Sequence, residues 1–273
     1  MVRIESPSSI NTFKQCKRKY YHSYIEKLPR KESIEIIAGK IVHATIESFH
    51  KIDPVLINEK HIHRDIQDKV LELFINEWLK AIPSLKKLEE ENGRIQQYYN
   101  ECIQMLHSFV QFSVVELQKV MNASLSFEQA FNKLKPKTEV FFISEKHNVR
   151  GYIDAIHEDE NGEVIIIDYK TSKRDHLSDE YKLQLAIYAL MVGEKQGRLP
   201  KQVGLHFLRQ GTRINLDVNQ DLVKQAEREC LAIKEFTQQF HTKEFYPMNP
   251  GPLCKWKTGQ CDFYDKCYEQ QTL

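Results

Sequence analysis

A mixed α/β layered architecture is what this 273-residue chain predicts, and three features predict it. Apolar residues recur at helical steps through the first half. Three strand-like runs follow in close succession, and one helix then separates them from two more such runs. The expected organisation is a single domain, 1–273, with a mainly helical region over 1–136, a sheet core over 137–218, and a helix with a cysteine-rich tail over 219–273.

The elements follow in order. Ser6-Pro7 starts the first helix, because serine caps free amides and proline fits the first turn. Helical spacing continues through Ile41, Thr45, Ile46 and Phe49, then Ile66, Val70, Leu73, Phe74 and Trp78, then Tyr98, Cys102, Leu106 and Phe109. At Thr138 the period shortens: "TEVFFISE", "VRGYIDAIHE" and "EVIIIDYKT" read as an antiparallel meander, with the tight turn "DENG" before the last. An amphipathic helix is expected after Ser178, then the strands "VGLHFL" and "RINLDV" around "RQGT", then a helix from Asn219 to about His241. The tail "FYPMNPGPLCKWKTGQCDFYDKCYE" is loop-rich.

Composition restricts the function classes. Lys+Arg 39 against Asp+Glu 38 leaves a net charge of +1, so a polyanion site must be local. No apolar run approaches the roughly 20 residues that span a bilayer, and the first residues lack a signal-peptide core. A cytoplasmic protein is expected, in which six cysteines are thiols or metal ligands rather than disulfides.

The chemistry concentrates around "VIIIDYKTS". Alternation puts Asp168 and Lys170 on one face of the strand and Tyr169 on the other. Asp154, on the preceding strand, can approach Asp168 at the same end of the sheet. Two adjacent carboxylates repel, and a hard divalent ion such as Mg²⁺ or Mn²⁺ relieves the repulsion. A structural salt bridge at a strand end is the competing reading. Gln184 and Tyr188 lie four residues apart on the next helix and share a face. Gly39 precedes His43 by one helical turn; a lone helical histidine is by itself usually a satisfied structural residue rather than a ligand.

The ordered set G-x-x-x-H (Gly39, His43), G-x-x-D (Gly151, Asp154), D-x-K (Asp168, Lys170) and Q-x-x-x-Y (Gln184, Tyr188) resembles the PD-(D/E)XK nuclease superfamily. Within it the likeness is to the RecB-type branch, with the nuclease domains of RecB and AddB, phage exonucleases and CRISPR-associated adaptation nucleases. The resemblance implies a restriction-endonuclease-like central sheet flanked by helices and a Mg²⁺- or Mn²⁺-dependent DNA exonuclease, with endonuclease activity also open. It implies metal ligation by His43, Asp154, Asp168 and the Tyr169 backbone carbonyl, charge stabilisation or water orientation by Lys170, and substrate contact by Gln184 and Tyr188. The implied partner is DNA, as single strands or ends, in recombination, repair or CRISPR spacer acquisition, alongside recombination, helicase or adaptation proteins. A noncatalytic DNA-binding or adaptor subunit on the same fold is the alternative.

Two further segments bear on partners and cofactors. Lys14, Lys17, Arg18, Lys19, Lys27, Arg30 and Lys31 interleave with Tyr20, Tyr21 and Tyr24, which suits single strands and equally suits a charged helix face over buried rings. Cys102 and Cys230 fall on apolar helix faces and read as core. Cys254, Cys261 and Cys267 sit in the loop-rich tail, and Cys16 offers a fourth ligand. One early and three late cysteines resemble the iron-sulfur subset of RecB-type nucleases, which implies a 4Fe-4S cluster. The six residues between Cys254 and Cys261 exceed that subset's usual C-x-x-C, and a structural Zn²⁺ held by four thiolates is the other reading.

Overall fold

A computed structural model describes residues 3–122, 124–159, 161–257 and 259–268, with the backbone alone for 89–92. Helix α1 (Pro7–Gln15) opens with a reciprocal cap, in which the Ser6 hydroxyl accepts from Ser9 N–H and the Ser9 hydroxyl from Ser6 N–H. Cys16 leaves helical geometry, ends α1 and caps α2 (Lys17–Tyr20) with its sulfur; a π-helical turn, Tyr21–Ile25, follows. The helical layer is α3 (Ile34–Phe49), α4 (Ile62–Asn92), α5 (Ile95–Met121) and α6 (Phe127–Leu134).

The sheet has five strands in the order β1-β2-β3-β4-β5: Lys137–Ser144, Val149–Glu158, Val164–Lys170, Gln202–Phe207 and Thr212–Asp217. Neighbours are antiparallel except β3 and β4, which run parallel because α7 (Asp179–Gln196) carries the chain back between them. Ser178 caps α7, and Gly197 ends it in the left-handed region at φ 73°, where glycine bears no Cβ penalty. Helix α8 (Gln220–Gln239) follows, then the small ribbon β6 (Lys255–Trp256) and β7 (Gly259–Gln260), and α9 (Tyr264–Tyr268). The meander and the later hairpin thus match the expectation from period-two alternation.

Each face of the sheet carries its own apolar core. Ala155, Ile167 and Tyr169 pack with Leu208 against α3–α6, while Ile153, Ile166, Val203 and Leu205 pack against α1, α7 and α8. Each fully buried Leu or Ile contributes about 1.5–3 kcal/mol. Alternation holds along β3, so Asp168 and Lys170 do face away from Tyr169. It fails in β2, where Ile153 and Ala155 enter opposite cores. Asp154 sits at that irregularity.

Helix α7 differs from its expected amphipathic form. Residues Leu185 to Gly193 are buried on all sides, because the helix is sandwiched between the sheet and helices α1 and α8. Gly151 lies under this helix; a Cβ there would meet Pro7, Tyr188 and Met191 at 3.5–3.6 Å, so anything larger than a methyl would displace them.

The N-terminal segment is tied into the second core. Buried Glu5 accepts from Tyr20 Oη at 2.6 Å and Ser9 Oγ at 2.5 Å, while its backbone pairs with Asn148 and Arg150 beside β2. The first part of the basic-aromatic stretch is engaged by the fold: Tyr20 is buried, Tyr21 lies against Tyr246, Lys14 pairs with Glu229, Lys17 covers Phe236, and Arg18 donates to the Tyr246 carbonyl at 2.7 Å. Lys27, Arg30 and Lys31 are exposed.

Candidate active site

Strand β3 delivers its polar end to a cavity of about 390 Å³, lined by His43, Asp154, Asp168, Tyr169, Lys170, Tyr181, Gln184 and Tyr188, with Thr171 and Ser172 at its edge. All seven residues singled out from the sequence meet here, from four elements: α3, β2, β3 and α7. Apolar β-branched residues up to Ile167 anchor β3, so the following acid and lysine are held on a stiff support.

Lys170 is the hub. Its Nζ lies 2.6 Å from Asp168 Oδ2 and donates to Gln184 Oε1 at 2.8 Å, and the Tyr181 ring lies 4.6 Å beneath it. Gln184 Nε2 in turn donates to Tyr188 Oη at 2.8 Å. Since that hydroxyl accepts from the amide, its own proton is oriented away from Gln184. The four-residue spacing of Gln184 and Tyr188 produces this relay.

Asp154 is held from two sides. Its Oδ2 accepts from Tyr169 N–H at 2.8 Å and lies 3.4 Å from His43 Nδ1. The Tyr169 side chain turns to the opposite face, where its hydroxyl meets His50 Nε2 at 3.3 Å.

The electrostatics follow from burial and pairing. Burial pushes the Asp168 carboxyl up, against the pull of the Lys170 charge; burial presses Lys170 down, but Asp168 outweighs it and holds the ammonium above its ordinary value. Those two tendencies oppose each other over one proton, and the 2.6 Å contact favours the ion pair. For His43, burial lowers the imidazole, while the hydrogen bond and charge of Asp154, with Asp168 behind, hold it above the usual histidine range.

One residue was missed. Glu139 of β1 stands across from Asp154, between the paired positions Thr138↔Ala155 and Val140↔Ile153. It has φ 49°, a left-handed conformation that costs a non-glycine residue about 1–2 kcal/mol. Ligand atoms of His43, Glu139 and Asp154 all lie within 4.8 Å of one another, the metal-competent group among the described residues. Burial and the neighbouring Asp154 charge push the Glu139 carboxyl up, as expected of acids crowded without a cation. No local signal marks it, because a left-handed glutamate inside a strand runs against residue preference.

The cysteines divide as expected by burial. Cys102 and Cys230 are buried in separate cores, which pushes both thiols up to about 12. Cys16 and the tail are drawn together: Arg18 N–H donates to the Pro247 carbonyl, Asn249 Nδ2 to the Gln15 carbonyl, and Cys261 N–H to the Cys254 carbonyl. Burial pushes the Cys267 thiol up, Arg18 draws it down, and the nearby sulfurs of Cys16, Cys261 and Cys254 reinforce the rise.

A mixed sheet between helical layers, with an acid-acid-lysine pocket at the end of its central strand, defines a nuclease-like core. The family profile of the PD-(D/E)XK nuclease superfamily matches residues 5–268, and the chain belongs to that superfamily. No curated protein matches it. Among solved structures, a presumed exonuclease from Eubacterium rectale is similar at 10% identity, covering 92% of this chain and 85% of its own, with a TM-score of 0.44. The structure of SSO0001 is similar at 15% identity, covering 72% and 85%, with a TM-score of 0.27. Among the described residues, no helix is long and apolar enough to cross a membrane.

Proposed function

We propose that the chain is a RecB-type, Mg²⁺- or Mn²⁺-dependent exonuclease that hydrolyses phosphodiester bonds of DNA, acting on single strands or ends. The observation that carries this reading is the convergence of His43, Glu139 and Asp154 within 4.8 Å, beside the Asp168–Lys170 pair. The donor set fits a hard divalent ion: carboxylate oxygens with one imidazole, on a site whose acids are crowded without one. His43, Asp154 and Asp168 would hold it with the Tyr169 carbonyl, and Glu139 joins them. When bound, the ion supplies Lewis acidity and an activated water.

The protein's own groups do the rest. Lys170, held by Asp168 and Gln184, places its charge where negative charge grows on the phosphate. Gln184 Oε1 holds the Lys170 ammonium from a second side while it stays in contact with Asp168, and the Tyr188 proton is available to a phosphate oxygen. Tyr169 N–H fixes the orientation of Asp154. Recombination, repair and CRISPR spacer acquisition are the processes that consume such an activity.

A 4Fe-4S cluster on Cys16, Cys254, Cys261 and Cys267 is the second part of the reading. The charge coupling of the Cys267 thiol to Cys16, Cys254 and Cys261 supports a shared four-thiolate site, and a structural Zn²⁺ on the same residues is the alternative.

The test incubates end-labelled single- and double-stranded DNA with Mg²⁺ or Mn²⁺. Wild type is expected to shorten the label, and Asp154→Ala and Asp168→Ala to leave it intact. DNA left whole by wild type with either ion defeats the enzyme reading in favour of a noncatalytic binder. A brown anaerobic preparation containing iron and sulfide supports the cluster, whereas stoichiometric zinc without colour overturns it.

A further inference from the structure

On the sheet face opposite Asp168, a cavity of about 670 Å³ lies between the strands and helices α5 and α6. Ligand pockets span about 300–1,000 Å³, and this partly open cleft falls within that range.

Its walls have a definite chemistry. Phe49, Phe109, Phe112 and Phe131 supply ring surface from three helices. Register places Tyr169, His206 and Arg213 side by side across β3, β4 and β5, so one polar row crosses the floor. The Arg213 guanidinium uses one donor on Asn215 Oδ1 at 3.1 Å and stands 5.9 Å over the Phe112 ring. Glu116, the acid in the cavity whose charge reaches it, is instead paired with Lys119 at 2.7 Å. A half-buried guanidinium with four further donors is thus left beside an aromatic space.

The histidines add hydrogen-bonding capacity without charge. Burial pushes His50 down to about 3 and His157 and His206 down to about 4, so all are neutral near pH 7. His206 is 2% exposed, and its Nε2 has no hydrogen-bond partner among the described residues. A ligand with a polar edge would satisfy that nitrogen.

We propose that this cavity binds a planar aromatic or heteroaromatic small molecule carrying one anionic group, with Arg213 at the anion and the phenylalanines against the rings. Nucleoside monophosphates and aromatic carboxylates share this chemistry. The proposal does not rest on the nuclease reading, because the site lies on the other face of the sheet and needs no metal.

The experiment is calorimetric titration of the full chain in EDTA with dAMP and with indole-3-acetate, each against its neutral counterpart, deoxyadenosine and indole-3-acetamide. At least one anionic probe should bind more tightly than its neutral counterpart, and whichever binds identifies the source. Arg213→Met should weaken it about tenfold or more, the value of a hydrogen bond to a charged group. Ser113→Trp, which fills the cavity from α5, should abolish it, while Gln184→Ala, in the pocket on the other face and out of contact with this cavity, should leave it unchanged. Circular dichroism checks that each variant is folded, and Arg213→Met decides alone if Ser113→Trp is not. Absence of binding by both anionic probes overturns the proposal, as does binding untouched by Arg213→Met or lost in Gln184→Ala.

Discussion

Replacing Lys170 by Met removes the charge that faces Asp168 at 2.6 Å and the donor to Gln184, while keeping most of the aliphatic stem that lies over Tyr181. Loss of a positioned group that stabilises developing charge costs about 10²–10³ in kcat, or about 2.7–4 kcal/mol. Stability should fall too. Asp168 is 2% exposed, and removing one partner of a buried ion pair costs about 3–5 kcal/mol when the other stays charged. Asp168 has an escape, since burial already presses its carboxyl towards the neutral form. With the lysine gone its folded pKa rises further above the unfolded value, so the folded state binds the extra proton. Stability of the variant then improves as pH falls through that folded pKa, and its deficit against wild type is widest at neutral pH and above. Single-turnover cleavage of end-labelled DNA in Mn²⁺ measures the first quantity, and thermal melting across pH the second. A kcat loss smaller than about tenfold, or a melting deficit that widens on acidification, would refute this account of the pair.

Four further outcomes follow from the same geometry. Glu139→Gln should weaken Mn²⁺ binding about 10–100-fold by titration calorimetry, whereas Glu139→Gly should lose the same affinity yet melt within about 1 kcal/mol of wild type, because glycine accepts φ 49°. Gln184→Ala should lower kcat about tenfold with Mn²⁺ affinity unchanged, since the amide orients Lys170 and is not among the proposed metal ligands. The folded pKa values of His157 and His206 are depressed to about 4, so their contribution is present above about pH 6.5 and lost on acidification towards pH 4. Melting temperature should drop over that window, and His206→Gln should flatten the slope. Cys16→Ser should release iron and sulfide together and lower the melting temperature, because Cys16 would clip the first helices to the tail; colour and iron content retained in full would remove it from the ligand set.

How much could be read in advance differs from residue to residue. Asp168, Tyr169 and Lys170 were legible because a strand has period two, and once the isoleucines are buried the facing of every later residue follows. Gln184 and Tyr188 were legible for the same kind of reason, through the helical repeat. Glu139 was not, because a left-handed glutamate inside a strand contradicts local preference and is sustained only by its surroundings. The basic-aromatic stretch suited single strands and a charged helix face equally, and only the fold shows that Glu5, Phe236 and Tyr246 engage Lys17, Arg18, Tyr20 and Tyr21.

Sequence by itself determined the main helices, the five strands of the sheet and their order, and placed Asp168 and Lys170 on one strand face, because periodicity and capping act over a few residues. Tertiary structure alone decided three things: that α7 is enclosed on all sides, that Glu139 completes a metal-competent group with His43 and Asp154, and that an aromatic cavity lies behind the strand that carries Asp168 and Lys170. Each depends on how separate layers close against one another. That closure is set by the fit of side chains far apart in the chain, which no local pattern encodes.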